Sequence, residues 1–325
     1  MQNSFKRQLM LKAAAGLLAL APFSMAHAAE PSLVAISSIV DHPALNAIRD
    51  GIQDELKAKG YDDSKVKIIF QNAQGQPSIA TQIARKFVGD NPAVIVAIST
   101  PSAQAAMAAT KDIPIVFSAV TDPVAAKLID DADKPGGNVT GTSDRAPLAE
   151  QIDLIKEMTP QAKTIGVIYN PGEANSVVSI SQFKEIAAQK GYKVVDGPAT
   201  KSADVQAAAR SLVGKADVIY VPTDNTIISA LESAIRVTNN AKIPLYTGDT
   251  DSVMRGAIAS LGFNYYDMGK QTGDQVIAIL EGQKISDLPV RYGKGSELYL
   301  NSKTAKTIGL VIPEDLLKKA KKNVE

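Results

Sequence analysis

The chain has 325 residues, with 35 basic and 34 acidic side chains and a net charge of +1. This balance gives no electrostatic reason to expect nucleic acid or an anionic membrane surface as a partner. The sequence contains no cysteine, which excludes disulfides, thiol catalysis, cysteine metal sites and a lipid-modified cysteine anchor.

Residues 1–28 have the order of a secretory signal peptide. Three basic residues precede an apolar stretch at 13–23, and the motif Ala-His-Ala ends at Ala28. The uncharged span is too short and too rich in alanine to favour a membrane anchor. We predict cleavage after Ala28, which changes the net charge from +1 to about −2 and indicates an exported protein, most simply one of a bacterial periplasm.

The rest of the chain alternates short β-branched runs with helical patterns. The predicted strands are 33–40, 66–70, 93–98, 115–118, 164–169, 193–196, 218–221, 244–247 and 257–261. The predicted helices are 43–59, 77–88, 102–110, 146–158, 175–190, 202–213, 226–239 and 265–282. Strands such as VIVAI and VIYV are apolar on both faces, as in a parallel sheet covered by helices. This order predicts doubly wound, parallel-sheet α/β domains, and the length predicts two of them.

The order of elements restarts after a Gly-rich polar segment at 136–151. The first copy reads VIVAISTPSAQAAMAATKDIPIVFSAVTDPV, and the second reads VIYVPTDNTIISALESAIRVTNNAKIPLYTGDTDSV. Each copy is a strand, a hydroxyl-rich turn, a helix, Ile-Pro, a strand and then Thr-Asp. We interpret this as a structural repeat of two similar lobes. Ligands of open α/β sheets bind outside the carboxyl ends of the strands, so we expect a cleft where these ends face each other.

The first of these edges is rich in hydroxyl groups. Ser99, Thr100 and Ser102 surround a proline where a helix begins, and the N–H groups of a helix start carry partial positive charge. Helix capping needs only one such residue, whereas the cluster suits a small anion such as a carboxylate. The neighbouring strand adds Ser118 and Asp122 at the same edge. Both interpretations, capping and anion binding, stay open at this point.

The second edge is more acidic. Asp224 follows the VIYVPT strand, and Asp249 follows IPLYTG. Carboxylates suit an ammonium group, so the two edges together suit an α-amino acid. Asp224 or Asn225 could instead cap the helix at 226–239. Asn170, after the strand at 164–169, could line the cleft or cap the next helix.

Catalytic motifs are missing from the sequence. It contains no G-x-G-x-x-G, no P-loop and no G-x-S-x-G, and no His or Cys cluster with metal-ligand spacing. After cleavage His42 is the only histidine, and we interpret it as a surface or capping residue. We therefore predict a binding protein without enzymatic activity, metal or cofactor.

Several stretches together resemble ABC-transporter substrate-binding proteins of the tryptophan/tyrosine-type, or aromatic amino-acid-binding, subgroup. These are VAISSIVDHPALNAIRDGIQDELKAKGY, GGNVTGTSD, IGVIYNPGEANS, VIYVPTDNTI and GAIASLGFNYYDMGKQTGDQVIAILEGQ. The resemblance covers essentially the whole chain after residue 28. It implies a type I periplasmic-binding fold of two lobes joined by three crossovers. The first lobe would comprise 29–143 plus 258–288, and the second 144–257 plus 289–325.

The resemblance also implies partners and residue roles. A monomer would bind a small ligand and pass it to a membrane permease-ATPase complex. The carboxylate of an amino-acid ligand would meet Thr100, Ser102 and Ser118, and Asp224 or Asp249 would meet its ammonium. Thr142 and Asp144, at the first crossover, could also contact the ligand. The alternatives are a periplasmic module that senses a ligand for a receptor, or a binder of a sugar or nucleoside.

Overall fold

A computed structural model describes residues 30–325, and the predicted signal peptide at 1–28 lies outside them. The strands are β1 (Ser32–Ser38), β2 (Val66–Asn72), β3 (Val94–Ile98), β4 (Ile115–Ser118), β5 (Val139–Ser143), β6 (Thr164–Tyr169), β7 (Lys193–Pro198), β8 (Val218–Val221), β9 (Leu245–Thr247), β10 (Ala259–Gly262), β11 (Arg291–Tyr292), β12 (Glu297–Asn301) and β13 (Lys322–Val324).

The helices lie between these strands, and the structure divides the predicted helix at 226–239 into two and adds three short helices that the sequence does not predict. They are α1 (Pro43–Ala58), α2 (Pro77–Asp90), α3 (Thr100–Ala109), α4 (Leu148–Met158), α5 (Ala174–Gln189), α6 (Val205–Leu212), α7 (Asn225–Ser229), α8 (Leu231–Ala241), α9 (Asp251–Met254), α10 (Tyr265–Leu280), α11 (Ser302–Ile308) and α12 (Glu314–Lys319). Within residues 30–325, no helix is both long and apolar enough to span a bilayer.

The described strands form two sheets, each the centre of one lobe. The first sheet has the order β11-β5-β4-β3-β1-β2 with parallel neighbours throughout. The second has the order β13-β12-β10-β9-β8-β6-β7 and is parallel except between β10 and β12. In both sheets the first strand of the lobe lies between the second and the third, which is a doubly wound order. The predicted fold class is confirmed.

The chain passes between the sheets three times. It leaves the first sheet after β5, returns to the first lobe between β10 and α10, and leaves again between β11 and β12. Three segments therefore join the lobes. Two of them contain or adjoin residues that line the cleft. Asp144 follows β5 directly, and Tyr265 begins α10.

The predicted lobe boundaries need two corrections. Residues 258–262 were assigned to the first lobe, but β10 pairs with β9 and β12 of the second sheet. Residues 289–292 were assigned to the second lobe, but β11 pairs with β5 of the first sheet. Short strands of this kind have the same apolar pattern in either lobe, so only their pairing decides which sheet they join.

Helix α10 is fixed to the first lobe by close packing on α1. A Cβ atom at Gly269 would overlap the carbonyl oxygen of Ile48, and one at Gly51 would overlap that of Tyr266. Glycine at both positions removes the side chain that would hold the helices apart. The start of α10, next to the cleft, is thereby held in place by the first-lobe core.

Candidate functional site

The carboxyl ends of the two sheets face each other across the cleft. The hydroxyl oxygens of Thr121, after β4, and Thr223, after β8, lie 3.4 Å apart. A small cavity of ≈ 20 Å³ lies between the lobes and is lined by residues of both lobes, Thr223 among them. The cleft predicted from the repeat therefore lies between these two sheet edges.

The hydroxyl-rich edge lies at the start of α3. The Oγ atoms of Ser99 and Ser102 and the Oγ1 atom of Thr100 are buried, and none has a hydrogen-bond partner within residues 30–325. Ser99 has a φ of 86°, in a region that non-glycine residues rarely adopt, and its side chain does not cap the helix. Buried hydroxyls without partners cost about 1–3 kcal/mol each, and strain of this kind is concentrated at functional sites.

Local structure explains how this edge is held. The Ser99 N–H donates to the Ser118 carbonyl at 2.8 Å, and the Ser99 carbonyl accepts from Ala103 N–H at 3.0 Å. The backbone is thus fixed by β4 and by the first turn of α3, while the side chains remain unpaired. Together with the positive end of the helix dipole, the edge is suited to receive an anion.

The small cavity is acidic. Three of the predicted residues line it with buried carboxylates, namely Asp144, Asp224 and Asp249. Asn225 also lines it, and among its described lining residues there is no lysine or arginine. A cation or an ammonium group is the chemical complement of such a lining.

Asp144 joins this cavity from the first crossover. Its Oδ1 accepts from the Thr121 hydroxyl at 3.0 Å, and its Oδ2 accepts from the Tyr265 hydroxyl at 3.2 Å. Burial is the largest influence on this carboxyl and raises its pKa to about 6, although both hydrogen bonds act in the opposite direction. A positive group in the cavity would favour its ionised form.

Asp249 has acceptor capacity left over. Its Oδ1 accepts from the Ser252 N–H at 2.8 Å, and its Oδ2 accepts from the Ser252 hydroxyl at 2.6 Å. Burial raises the pKa of Asp249, and these hydrogen bonds and the Arg255 charge oppose the rise. Each carboxylate oxygen has two lone pairs, so each can accept one more hydrogen bond from the cavity side.

Asp224 is engaged mainly within its own lobe. It accepts from the N–H groups of Asn170 at 2.6 Å and Ile227 at 2.8 Å, and from the Ser176 hydroxyl at 2.6 Å. Of the two interpretations, the structure shows the capping contact, since Asp224 is the N-cap of α7. Burial, followed by the Glu173 carboxylate, raises its pKa to about 7.

Glu173 is not among the site residues predicted from the sequence. Its carboxylate accepts from the backbone and side-chain N–H groups of Asn225 and from the N–H and hydroxyl of Thr226. It thereby fixes the first turn of α7. Asn170 is held beside it, because its Nδ2 donates to the Thr226 hydroxyl at 2.8 Å.

A larger cavity of ≈ 690 Å³ adjoins the small one and shares Asn225 with it. Asn170 and Glu173 line it from the second lobe, and Pro101 and Ala105 of α3 line it from the first. The two predicted asparagines therefore lie on the wall of the cleft, and both are also fixed by hydrogen bonds to the start of α7 or to Glu173.

Three predicted site residues make their observed side-chain contacts away from the two cavities. The Ser118 hydroxyl is 2.8 Å from that of Thr272 on α10, and Thr142 donates to Gln275 of the same helix at 3.1 Å. Both side chains lie between the sheet and α10 and line neither cavity. Asp122 forms an ion pair with Arg145 at 2.6 Å. Successive side chains along a strand point to opposite faces of the sheet. A prediction that uses only the position of the strand end does not include this alternation.

His42 also lies elsewhere than expected. It was interpreted as a surface or capping residue, but it is 8% exposed, lines the small cavity and makes no capping hydrogen bond to α1. Burial, followed by the Arg255 charge, lowers its pKa to about 3. Its imidazole is therefore neutral at neutral pH. No group of three or more His, Cys, Asp or Glu residues within 30–325 is arranged to hold a metal ion.

Comparison with known proteins gives a family and several relatives. The family model described as "ABC transporter substrate binding protein" matches residues 33–324. A tyrosine-binding protein of Clostridioides difficile (strain R20291) is 44% identical over 278 residues, which cover 85% of this chain and 81% of that protein. The crystal structure of an ABC domain in complex with L-Trp from Streptococcus pneumonia is 36% identical with a TM-score of 0.88, and covers 91% of this chain and 100% of that chain.

One further solved relative is in an open, ligand-free state. The ligand-free, open structure of a substrate-binding protein with adhesive properties from Clostridium difficile is 41% identical, covers 90% of this chain and 100% of that chain, and has a TM-score of 0.69. Its sequence is closer to this chain than that of the L-Trp complex, yet its overall structure is less similar. The lobes described here are therefore arranged more like those of the L-Trp complex.

Proposed function

The chain belongs to the ABC transporter substrate-binding proteins, and we propose that it binds a free aromatic α-amino acid between its two lobes. The observation that carries this proposal is the opposite chemistry of the two edges. Buried, unpaired hydroxyls lie at the positive end of α3, where Pro101 lines the larger cavity, and the adjoining small cavity is lined by buried carboxylates. An α-amino acid presents a carboxylate and an ammonium group on one carbon atom, and it would satisfy both edges at once.

In the proposed complex the ligand carboxylate lies at the start of α3. It accepts hydrogen bonds from the hydroxyls of Thr100 and Ser102 and from free N–H groups of the first turn. The ammonium group lies in the small cavity beside Asp144 and Asp249. We assign Asp224 to holding α7 in place, because its oxygens already accept three hydrogen bonds within the second lobe.

The aromatic side chain of the proposed ligand is supported by the relatives. One of them is named a tyrosine-binding protein, and a solved relative is a complex with L-Trp. Both are more than 30% identical over most of this chain. Tyrosine and tryptophan are accordingly the first ligands to test.

Lobe closure follows from the proposed contacts. A ligand that touches α3 in one lobe and the acidic cavity of both lobes stabilises the closed arrangement relative to the open one. The closed form would then deliver the amino acid to a membrane permease-ATPase complex from the periplasm. Family membership and the predicted signal peptide support this part of the proposal.

Titration calorimetry with the twenty amino acids tests the ligand class. The protein is first unfolded in denaturant and refolded, so that any co-purified ligand is removed. The chain contains no tryptophan, so the fluorescence of added L-tryptophan reports its own environment and gives a second readout. We expect saturable binding of an aromatic amino acid. Binding of a sugar or nucleoside with no response to any amino acid would refute the proposal.

Transport needs a separate experiment. Uptake of the labelled amino acid is measured in a strain that lacks the protein and in the same strain with the gene restored. Transport requires that uptake be lost and regained. Unchanged uptake alongside a lost cellular response would favour the sensing alternative.

A further inference from the structure

Two buried side chains in the small cavity have unpaired hydrogen-bonding atoms and lie outside the predicted site. They are His42, which precedes α1 in the first lobe, and Asn175, which is in the first turn of α5 in the second. His42 is 8% exposed and Asn175 is 4% exposed. The Nδ1 atom of His42 and the Oδ1 atom of Asn175 have no partner within the described part of the chain.

The orientation of the Asn175 amide is set by its neighbours. Its Nδ2 donates to the Thr223 carbonyl at 3.0 Å and to Oε2 of Glu173 at 3.3 Å. Turning the amide over would place its oxygen against these two acceptors, which disfavours the flip. The oxygen is therefore held as a free acceptor at the wall of the cavity.

The His42 side chain is held as a neutral group. Burial keeps the imidazole uncharged, and the Asn225 side chain of the opposite lobe lines the same small cavity. The backbone is extended, with φ −156° and ψ 159°, so the ring does not fold back to cap α1. In the tautomer protonated on Nε2, the unpaired Nδ1 is an acceptor.

We propose that Asn175 Oδ1 and His42 Nδ1 accept hydrogen bonds from the ammonium group of the ligand, alongside the carboxylates of Asp144 and Asp249. This inference rests on the proposed function and adds residues that recognise the ammonium group of the ligand. An ammonium group has three donors, and here neutral acceptors from both lobes meet it together with negative charge. The cavity volume of ≈ 20 Å³ suits one group of this size, since a single water needs roughly 10–15 Å³ by the same measure.

The two acceptors add to the link that the carboxylates make between the lobes. Because His42 belongs to the first lobe and Asn175 to the second, a single ammonium group would join the lobes at this point. A ligand without that group would leave both acceptors buried and unpaired, which is costly. The site would therefore select amino acids over carboxylic acids of the same shape.

The test compares ligands with and without the ammonium group. L-tryptophan and L-tyrosine are titrated against indole-3-propanoate and 3-(4-hydroxyphenyl)propanoate, which lack only the amine. The proteins are wild type, Asn175→Ala, His42→Ala and His42→Asn, since asparagine places an acceptor near the position of Nδ1. Asn138→Ala is the matched control, because Asn138 donates to Ile113 at the far end of the first sheet.

Wild type should prefer the amino acid, and each alanine variant should lose about 10- to 100-fold in affinity for it, as expected for a hydrogen bond to a charged group. Affinity for the deamino analogue should not fall, because its binding no longer leaves the removed acceptor buried and unpaired. His42→Asn should recover most of the loss, and Asn138→Ala should behave as wild type. Equal losses for both ligands in the alanine variants would overturn the proposal, since they would indicate a merely structural role.

The failure of the proposed function has a different signature. In that case wild type binds neither amino acid, whereas failure of this inference leaves amino-acid binding intact and the ligand preference unaltered by the substitutions. If Asn175→Ala does not fold, as judged by its thermal unfolding, Asn175→Ser and the His42 pair decide the outcome.

Discussion

Replacing Glu173 by glutamine tests how the second lobe holds its edge of the cleft. The carboxylate accepts from N and Nδ2 of Asn225 at 3.2 and 2.6 Å, and from N and Oγ1 of Thr226 at 2.9 and 2.7 Å. Asn175 Nδ2 is a fifth donor, at 3.3 Å from Oε2. Glutamine offers one oxygen and one NH₂ group, so at least two of the five donors lose their acceptor. At about 1–3 kcal/mol for each buried donor left unpaired, we expect a loss of roughly 2–6 kcal/mol in the free energy of unfolding.

Part of this loss is offset, and the offset depends on pH. Burial and then the Glu173 charge raise the pKa of Asp224 to about 7. The native state therefore keeps a proton that the unfolded chain releases above about pH 4, and stability from this group is lost as the pH rises toward 7. Toward higher pH Asp224 ionises and the variant relieves a repulsion between two carboxylates, whereas toward lower pH Asp224 keeps its proton and there is little to relieve. The destabilisation should be larger at pH 5.

Urea unfolding of the unliganded protein at pH 5 and pH 8 measures both effects. The matched control is Glu185→Gln, because Glu185 is exposed on α5, the helix that Glu173 precedes. We expect the control to stay within about 0.5 kcal/mol of wild type, as surface substitutions do. A Glu173→Gln protein as stable as the control at both pH values would refute the role assigned to this carboxylate.

Three further predictions concern the anion edge, the acidic cavity and the helix packing. Thr100→Val combined with Ser102→Ala should weaken L-tryptophan binding about 10-fold or more in calorimetry. Affinity for tryptamine, which has neither a carboxylate nor a carbonyl group, should stay unchanged, and equal losses for both ligands would contradict the assignment. Because burial raises the pKa of Asp144 to about 6 and an ammonium favours its ionised form, affinity should fall as the pH drops below 6, and a rise would contradict the account. Gly269→Ala should lower stability in urea by about 1–3 kcal/mol through overlap with α1, whereas Gly89→Ala, with open space at the Cβ, should gain about 0.5–1 kcal/mol.

The sequence predicts the alternating core of each lobe well, because long periodic helices and fully apolar strands carry strong signals. It misses β5, whose sequence VTGTS looks like a polar linker although all five residues are buried. Its glycine is required there, because a Cβ at Gly141 would overlap the carbonyl oxygen of Phe117. A strand whose backbone lies this close to its neighbour contains small residues, and its sequence therefore shows little apolar pattern.

The site is predicted in outline but not in orientation. The rule that ligands bind at the carboxyl ends of strands leads to the start of α3 and to the turns after β8 and β9. It also leads to the turn that contains His42, which the sequence indicates only as a surface or capping residue. What the sequence lacks is the direction of each side chain. Ser118 is at the predicted edge, but its hydroxyl contacts Thr272 on α10.

A crystal structure of the protein with L-tryptophan or L-tyrosine tests the central claim most directly. The account predicts one amino acid between the lobes, with its carboxylate within hydrogen-bonding distance of Thr100 and Ser102 and its ammonium in the cavity beside Asp144 and Asp249. A ligand bound in the reverse orientation, or outside the cleft, would contradict it.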